Sequence, residues 1–138
     1  MNTPRIVVVE DEVITSIALR RELAQLGYEV VAMVDTAEDA INAARQYEPD
    51  MVLMDITLSG ALDGITAAAA IRGSLGLPVV FLTAHADDAT MKRAMLAGPF
   101  GYVLKPYRME ALRAAIEVAL HKHRTEAERS AKVSAKRS

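Results

Sequence analysis

The sequence predicts an α/β protein in which a five-stranded parallel sheet lies between two layers of helices. Five short apolar runs, each bounded by turn-forming residues, are typical of strands buried on both faces. Between them, apolar residues recur at three- and four-residue spacings over stretches of ten or more residues, which is typical of helices. Strands separated by helices of that length pair in parallel through right-handed crossovers. The alternation therefore predicts a sandwich of helix, sheet and helix layers.

In the first half of the chain we predict strands at residues 5–9, 28–34 and 51–55. The helix after the first strand ends at Gly27, a natural helix stop, and its apolar positions are Val13, Ile14, Ile17, Leu19, Leu23 and Leu26. Thr36, which is followed by acidic residues, begins a second helix that ends near Pro49. In the third strand, four apolar residues lead directly into Asp55.

In the second half we predict strands at residues 78–82 and 101–104. An alanine-rich helix over residues 65–74 precedes the fourth strand, and a helix from Asp87-Asp88 to Gly98-Pro99 precedes the fifth. The last helix begins near Met109, and its apolar stripe is Leu112, Ile116, Ala119 and Leu120. Five strands and five helices predict a flavodoxin-like fold, a (βα)5 doubly wound parallel sheet with strand order 2-1-3-4-5.

Length and composition restrict the possible classes of protein. The 138 residues suffice for one domain, and 51% hydrophobic with 25% charged residues is typical of a globular protein. The absence of cysteine excludes disulfides, thiolate metal sites and cysteine nucleophiles. No apolar run approaches the roughly 18 to 20 residues of a membrane span, and no signal-peptide pattern begins the chain. We therefore expect a cytoplasmic protein that does not interact with membranes.

The net charge of −2 conceals an uneven distribution. Residues 121–138 carry a charge of +4 and residues 1–120 a charge of −6. Acidic residues interrupt the basic tail and no aromatic residue is available for stacking, so we predict no direct binding of nucleic acid. We assign residues 1–122 to the folded domain and residues 123–138 to a basic polar tail, which is a helix extension or a linker. His121 and His123 are interpreted as C-terminal caps of the last helix.

Polar residues end four of the five predicted strands, at the carboxyl edge where open α/β sheets bind ligands. They are Glu10-Asp11-Glu12, Asp55, Thr83 and Lys105. Because the first and third strands are neighbours in the predicted order, two or three carboxylates would repel each other unless a cation lies between them. Carboxylate ligation with room for water suits Mg²⁺. The sequence therefore predicts a magnesium site at this edge.

Asp55 admits two interpretations. With Mg²⁺, the Lys105 ammonium and the Thr83 hydroxyl around it, Asp55 is a candidate nucleophile that takes up a phosphoryl group. Taken singly, each residue also has a structural interpretation, in which Asp55 caps a loop, Thr83 caps a helix and Lys105 pairs with Asp11. The presence of the complementary set on four strand ends favours the functional interpretation.

Over residues 4–122 the chain resembles the receiver domain of two-component response regulators. The motifs are Val-Val-Val-Glu10-Asp11-Glu, Val-Leu-Met-Asp55, Asp63-Gly64, Leu-Thr83-Ala84 and Gly101-Tyr102-Val-Leu-Lys105-Pro106. The resemblance implies a signalling switch, not an enzyme, that accepts a phosphoryl group on Asp55 from a histidine kinase or phosphotransfer protein. It also implies that phosphorylation changes the face formed by the fourth helix, fifth strand and fifth helix, which then controls a partner or self-association.

The resemblance assigns a metal site and two residues that set phosphoryl lifetime. It implies that Asp11, Asp55 and the backbone carbonyl of Thr57 bind Mg²⁺, with Glu10 acting through a water molecule. It further implies that Thr57 and His85 modulate dephosphorylation, His85 either by positioning the attacking water or by shielding the site.

The resemblance also assigns the residues of the switch. Thr83 and Tyr102 form the implied switch pair, in which the hydroxyl moves toward the phosphate while the aromatic ring turns inward. Lys105 is implied to pair with the phosphate, and the Lys105–Pro106 bond is implied to be cis.

Three departures from the family pattern affect these expectations. Glu10 stands where the family more often has Asp, so we expect a shifted metal geometry. The loop after Asp55 lacks the usual proline and is one residue longer, with residues 59–62 in its place, which affects access of the phosphodonor. Phe100 is an aromatic residue in a region where receivers commonly dimerise; it either packs in the core or forms part of an interface.

Two other classes of protein remain as alternatives. An aspartyl-nucleophile phosphatase also places Asp after a strand with Mg²⁺, but it needs a second Asp where this chain has Thr57. A receiver-like scaffold that binds partners constitutively would not need the full set of polar residues. The chain is either a single-domain regulator or a receiver that belongs to a longer protein, and it can form a homodimer through the predicted switching face or the C-terminal helix.

Overall fold

The computed structural model describes residues 3–56, 58, 63–84 and 88–137, with side chains described as far as residue 129. In chain order the elements are β1 Arg5–Val9, α1 Val13–Gln25, β2 Glu29–Val34, α2 Ala37–Tyr47, β3 Met51–Asp55, α3 Gly64–Ala70, a π-helical turn Ile71–Leu75, β4 Val79–Thr83, α4 Asp88–Leu96, β5 Gly101–Leu104 and α5 Met109–Arg137.

The five strands form one parallel sheet in the order β2-β1-β3-β4-β5, which confirms the predicted topology. The register aligns the carboxyl ends of the strands. Asp55 on β3 lies opposite Leu82 on β4, and Thr83 lies opposite Leu104 on β5. The last residues of these strands therefore meet at one edge, as the sequence predicts.

Each face of the sheet carries its own apolar core, because successive strand residues point to opposite faces. One core joins α2, α3 and α4 to the sheet residues Val7, Val9, Val52, Met54 and Phe81. The other joins α1 and α5 to Ile6, Val8, Leu53, Val80 and Leu82. In α5, the predicted stripe residues Leu112, Ile116 and Ala119 are fully buried. The sheet is thus covered on both faces and leaves its carboxyl edge for chemistry.

Helix α1 is confirmed, but the apolar residues at its start do not join the core. Leu19 and Leu23 are fully buried, but Val13, Ile14 and Ile17 are 70%, 80% and 56% exposed. Ile14 and Ile17 lie five and two residues before Leu19, which places them on the far side of a helix with 3.6 residues per turn. The apolar residues of α1 therefore lie on two faces of the helix. Leu19 and Leu23 face the core, and Val13, Ile14 and Ile17 form an exposed apolar patch.

Two other helices depart from their predicted bounds. The helix predicted at residues 65–74 is α-helical only to Ala70 and continues as the π-helical turn, which ends at Gly76 in a left-handed conformation with φ of 66°. Helix α5 runs to Arg137, so His121 and His123 lie within it and are not C-terminal caps. Within the described part of the chain, no helix combines the length and apolar character that crossing a bilayer requires.

Candidate functional site

Among the described residues, three polar ones are buried at the carboxyl edge of the sheet: Glu10, Asp55 and Thr83. Asp55 ends β3, and the next backbone N–H, that of Ile56, donates to the carbonyl of Leu82 at 3.0 Å, a distance typical of a hydrogen bond between strands. On the other side of Asp55, the first residue of α3 is Gly64. A Cβ atom at Gly64 would lie 2.5 Å from the Asp55 carbonyl oxygen. The backbone of Asp55 is therefore held between β4 and the start of α3.

Lys105 directs its ammonium group at the two buried carboxylates. Its Nζ lies 2.9 Å from Oδ2 of Asp55 and 3.4 Å from Oε1 of Glu10. Burial alone lowers the pKa of Lys105, but the hydrogen bonds and charges of Asp55 and Glu10 outweigh burial and raise it. Lys105 therefore stays protonated and neutralises part of the acidic charge. The sequence left open a pairing of Lys105 with Asp11; the ion pairs found are with Asp55 and Glu10.

The acidic residues fit a divalent cation. Glu10, Asp11 and Asp55 each bring one carboxylate oxygen to within 4.8 Å of the other two. Burial, together with the hydrogen bond and charge of Asp55, raises the pKa of Glu10 from 4.5 to about 8, although Lys105 acts in the opposite direction. Oε2 of Glu10 is buried with no hydrogen-bond partner in the described structure. A cation between these groups would supply the missing partner and relieve the repulsion.

Thr83 and Tyr102 lie on the adjacent strands β4 and β5. Thr83 is fully buried at the end of β4, and its backbone carbonyl accepts a hydrogen bond from the Lys105 N–H at 2.8 Å. Tyr102 is 47% exposed, so its ring lies on the outer surface of the sheet edge. The Lys105–Pro106 bond is cis, as the resemblance implies. Thr57, His85 and the loop residues 59–62 lie outside the described residues.

An ion pair that sequence reasoning missed connects α4 to the start of α3. Asp63 Oδ1 accepts a hydrogen bond from the Thr66 N–H at 2.8 Å, and Asp63 Oδ2 accepts one from Arg93 Nη2 at 2.7 Å. The capping role of Asp63 is readable from its place before a helix. Its pairing with Arg93 spans 30 residues, and nothing in the local sequence indicates it.

Phe100 packs in the core and is buried beneath the side chains of Arg72 and His123. The Arg72 guanidinium lies 4.2 Å from the Phe100 ring centroid, and the His123 ring lies 6.4 Å from it in a tilted arrangement. Arg72 Nε also donates to the Gly98 carbonyl at 3.0 Å. The core interpretation of Phe100 therefore fits the structure, and no local pattern predicts Arg72 as its partner.

Comparison with known proteins agrees with this site. The model of the response regulator receiver domain family matches residues 6–117. The transcriptional regulatory protein PdtaR of Mycobacterium tuberculosis is 34% identical over 120 residues, covering 87% of this chain and 58% of PdtaR. KdpE from the same organism is 33% identical over 123 residues, covering 89% of this chain and 54% of KdpE. The chain thus spans just over half the length of these curated relatives.

Solved structures show the same architecture. The signal receiver domain of a modulated diguanylate cyclase from Desulfovibrio desulfuricans G20 superposes with a TM-score of 0.86 at 39% identity, covering 91% of this chain and 99% of that one. A two-component response regulator of the LuxR family from Aurantimonas sp. SI85-9A1 gives a TM-score of 0.81 at 36% identity, covering 88% and 87%. With its fold, its acidic edge and these matches, the chain belongs to the family of response regulator receiver domains, whose general function is phosphorylation-dependent switching in two-component systems.

Proposed function

We propose that Asp55 is the phosphoacceptor of this receiver domain. The observation that carries the proposal is the setting of its carboxylate at the end of a buried strand, 2.9 Å from the Lys105 ammonium. Glu10 and Asp11 offer oxygens within 4.8 Å of it. A carboxylate fixed in this way is held ready for attack and has a cation beside it for the charge of the incoming group.

The proposed reaction moves one phosphoryl group. A carboxylate oxygen of Asp55 attacks the phosphorus atom of a phosphohistidine on a kinase or phosphotransfer protein, forming a P–O bond as the P–N bond breaks. The imidazole leaves with the bonding electrons and is restored to its neutral form by uptake of a proton. The Lys105 ammonium then pairs with the phosphoryl oxygens instead of the Asp55 carboxylate. The Thr83 hydroxyl donates a hydrogen bond to one of the phosphoryl oxygens. Hydrolysis later returns Asp55 to the free carboxylate, so the domain phosphorylates and dephosphorylates only itself.

The acidic residues are the proposed Mg²⁺ ligands. Asp11 and Asp55 supply carboxylate oxygens, and the backbone carbonyl of Thr57 is the third expected protein ligand. Glu10 acts through a water molecule. Its Oε2, which has no hydrogen-bond partner in the described structure, can accept a hydrogen bond from that water. When bound, Mg²⁺ supplies positive charge that stabilises the phosphoryl oxygens during transfer. Thr57 and His85 remain the proposed modulators of dephosphorylation.

The proposed output is a change in the α4-β5-α5 face. Tyr102 is half exposed on β5, and turning its ring inward toward the space that Thr83 leaves would alter this face. The same three elements also carry exposed apolar side chains: Met95 and Leu96 on α4, Leu104 on β5 and Val118 on α5. Such a surface suits a protein partner or a second copy of this chain. The helical extension of α5 through residues 123–137 is a second proposed route to a homodimer.

The phosphodonor is proposed to dock beside the site on α1. The patch formed by Val13, Ile14 and Ile17 begins two residues after Asp11, and Val13 lines the same pocket as Glu10 and Asp11. A kinase or phosphotransfer protein that covered this patch would bury apolar surface while bringing its phosphohistidine to Asp55. We further propose that the domain acts in the cytoplasm, where these donors work, without contacting membrane or nucleic acid itself.

Incubation with acetyl phosphate and Mg²⁺, followed by intact mass measurement, tests the proposal. We expect one phosphoryl group on the wild-type chain and none on Asp55→Asn. Asp39→Asn is the matched control, because it removes a different carboxylate at the same edge and leaves Asp55 in place; it should be labelled like the wild type. Equal labelling of wild type and Asp55→Asn, or no labelling of the wild type, would refute Asp55 as the acceptor.

A further inference from the structure

Asp63 is shared between two helices. Its Oδ1 accepts the Thr66 N–H at 2.8 Å and so caps α3, while its Oδ2 accepts from Arg93 of α4 at 2.7 Å. The two carboxylate oxygens thus have separate roles, one within α3 and one between α3 and α4. The hydrogen bond from Arg93, followed by the backbone bond from Thr66, lowers the pKa of Asp63, so the carboxylate is ionised and the ion pair is present.

The residue after Asp63 touches the phosphoacceptor. Gly64 lies so close to Asp55 that a Cβ atom would stand 2.5 Å from the Asp55 carbonyl oxygen and 3.2 Å from that of Ile56. A displacement of the start of α3 is therefore transmitted directly to the backbone that carries the reacting carboxylate. Asp63 is one residue from this contact.

The other end of the ion pair lies on the helix of the switching face. Helix α4 is anchored in the core through Ala94, which is buried, while Met95 and Leu96 beside it are exposed. Arg93 precedes these residues directly. A rearrangement of α4 on phosphorylation must therefore either draw Asp63 and the start of α3 along with Arg93 or break the bond between Arg93 and Asp63.

We propose that the ion pair between Arg93 and Asp63 is a latch that holds α4 in the arrangement seen here and thereby opposes phosphorylation of Asp55. The inference rests on the proposed function, because it presumes that Asp55 accepts the phosphoryl group. Coupling between two sites is reciprocal, so a contact that phosphorylation must weaken also weakens the binding of any phosphoryl mimic. Releasing the latch makes the switched arrangement easier to reach.

The size of the effect is limited by solvent. The Arg93 and Asp63 side chains are 57% and 41% exposed, and ion pairs of that exposure change an equilibrium by about fivefold at most. A change of this size shifts the fraction of switched molecules in a two-state domain without inverting it.

Two single variants separate the latch from the cap. Asp63→Asn removes the charge that Arg93 needs but keeps a good N-cap for α3, because Asn accepts the Thr66 N–H as well as Asp does. Arg93→Gln removes the other partner. Lys92→Gln is the matched control, since it removes the neighbouring positive charge of α4 and leaves Arg93 in place.

The measurement is the apparent affinity of the full chain for beryllofluoride, a phosphoryl mimic, in the presence of Mg²⁺, followed through amide chemical shifts. We expect about two- to fivefold tighter binding in each single variant, no further gain in the double variant, and wild-type binding in Lys92→Gln. Unchanged or weaker binding in the single variants, or gains that add in the double variant, would refute the latch. If neither wild type nor variants bind, and Asp55→Asn behaves the same, the proposed function itself fails.

Discussion

Lys105 Nζ lies 2.9 Å from Oδ2 of Asp55 and 3.4 Å from Oε1 of Glu10, so one ammonium group serves two buried carboxylates. The arrangement has one positive charge for two acids, with Asp11 close by. The excess of carboxylates over ammonium groups explains why the site suits a cation. It also makes the stability of the domain depend on how the carboxylate charges at the site are compensated.

Lys105→Met should slow phosphorylation of Asp55. The substitution keeps the length of the side chain but removes a charge-assisted hydrogen bond, which is worth about 1.5 to 3 kcal/mol in a buried setting. We therefore expect labelling by acetyl phosphate to slow by about tenfold or more. The rate is read from intact mass over time, with Lys92→Met on exposed α4 as the control. A labelling rate equal to that of the wild type would contradict the role given to Lys105.

Glu10→Gln should make the metal-free domain more stable. Glu10 is buried beside Asp55, its pKa is raised to about 8, and its Oε2 has no hydrogen-bond partner in the described structure. Near neutral pH the folded domain must therefore either hold a desolvated, repelled charge or take up a proton, and glutamine removes that cost. We expect a gain of about 1 kcal/mol in the free energy of unfolding in a chelator, measured by urea denaturation. The same variant should gain less stability from added Mg²⁺ than the wild type does. A variant that is less stable than the wild type without metal would contradict this account of Glu10.

Gly64→Ala should destabilise the domain, because the new Cβ atom meets the Asp55 carbonyl oxygen at 2.5 Å. Overpacking of this kind costs about 1 to 3 kcal/mol. Gly73→Ala is a matched control, since a Cβ at Gly73 meets no atom within 4 Å. Thermal denaturation of both variants checks the prediction, and equal melting temperatures would show that α3 does not lie against Asp55 as described.

Tyr28 should make the domain sensitive to alkaline pH. Burial, followed by a hydrogen bond to Glu117 at 2.6 Å, raises the pKa of the Tyr28 hydroxyl well above its ordinary value of 10. The raised pKa means that the folded state holds the proton more tightly than the unfolded state. The contribution of Tyr28 is therefore fully present below pH 10 and decreases as the pH rises beyond it.

Urea denaturation between neutral and alkaline pH tests this effect. Tyr28→Phe should lower stability by about 1 to 3 kcal/mol at neutral pH, because the hydrogen bond to a charged group is lost, and its stability should fall less steeply above pH 10. Tyr47→Phe, at the exposed end of α2, provides the control. Parallel pH curves for wild type and Tyr28→Phe would exclude Tyr28 as the source.

The sheet and the edge that carries the site were predictable because they follow from local patterns. The apolar run before Asp55 and the polar residues after each strand are properties of short segments, and parallel pairing brings their ends together. Helix α1 forms where its apolar pattern predicted it, but that pattern did not show that Val13, Ile14 and Ile17 lie outside the core, because mixed spacings of three and four do not by themselves define one face.

Contacts between distant segments were not predictable. The pairs Arg93–Asp63 and Arg72–Phe100 depend on how α4 and the π-helical turn pack against the sheet. No local sequence pattern indicates either pair. For residues 123–138 the sequence left a helix extension and a linker both open, because the apolar stripe ends near His121; the structure has the helix extension.

The central claim is that the phosphoryl group resides on Asp55. Borohydride reduction converts an aspartyl phosphate to homoserine, so wild-type chain treated with acetyl phosphate and Mg²⁺, then reduced and digested, reports the acceptor directly by peptide mass spectrometry. We expect homoserine at position 55 in the peptide that contains Met51–Asp55, and at no other aspartate. Reduction at Asp11 or another aspartate, with position 55 unchanged, would contradict the account.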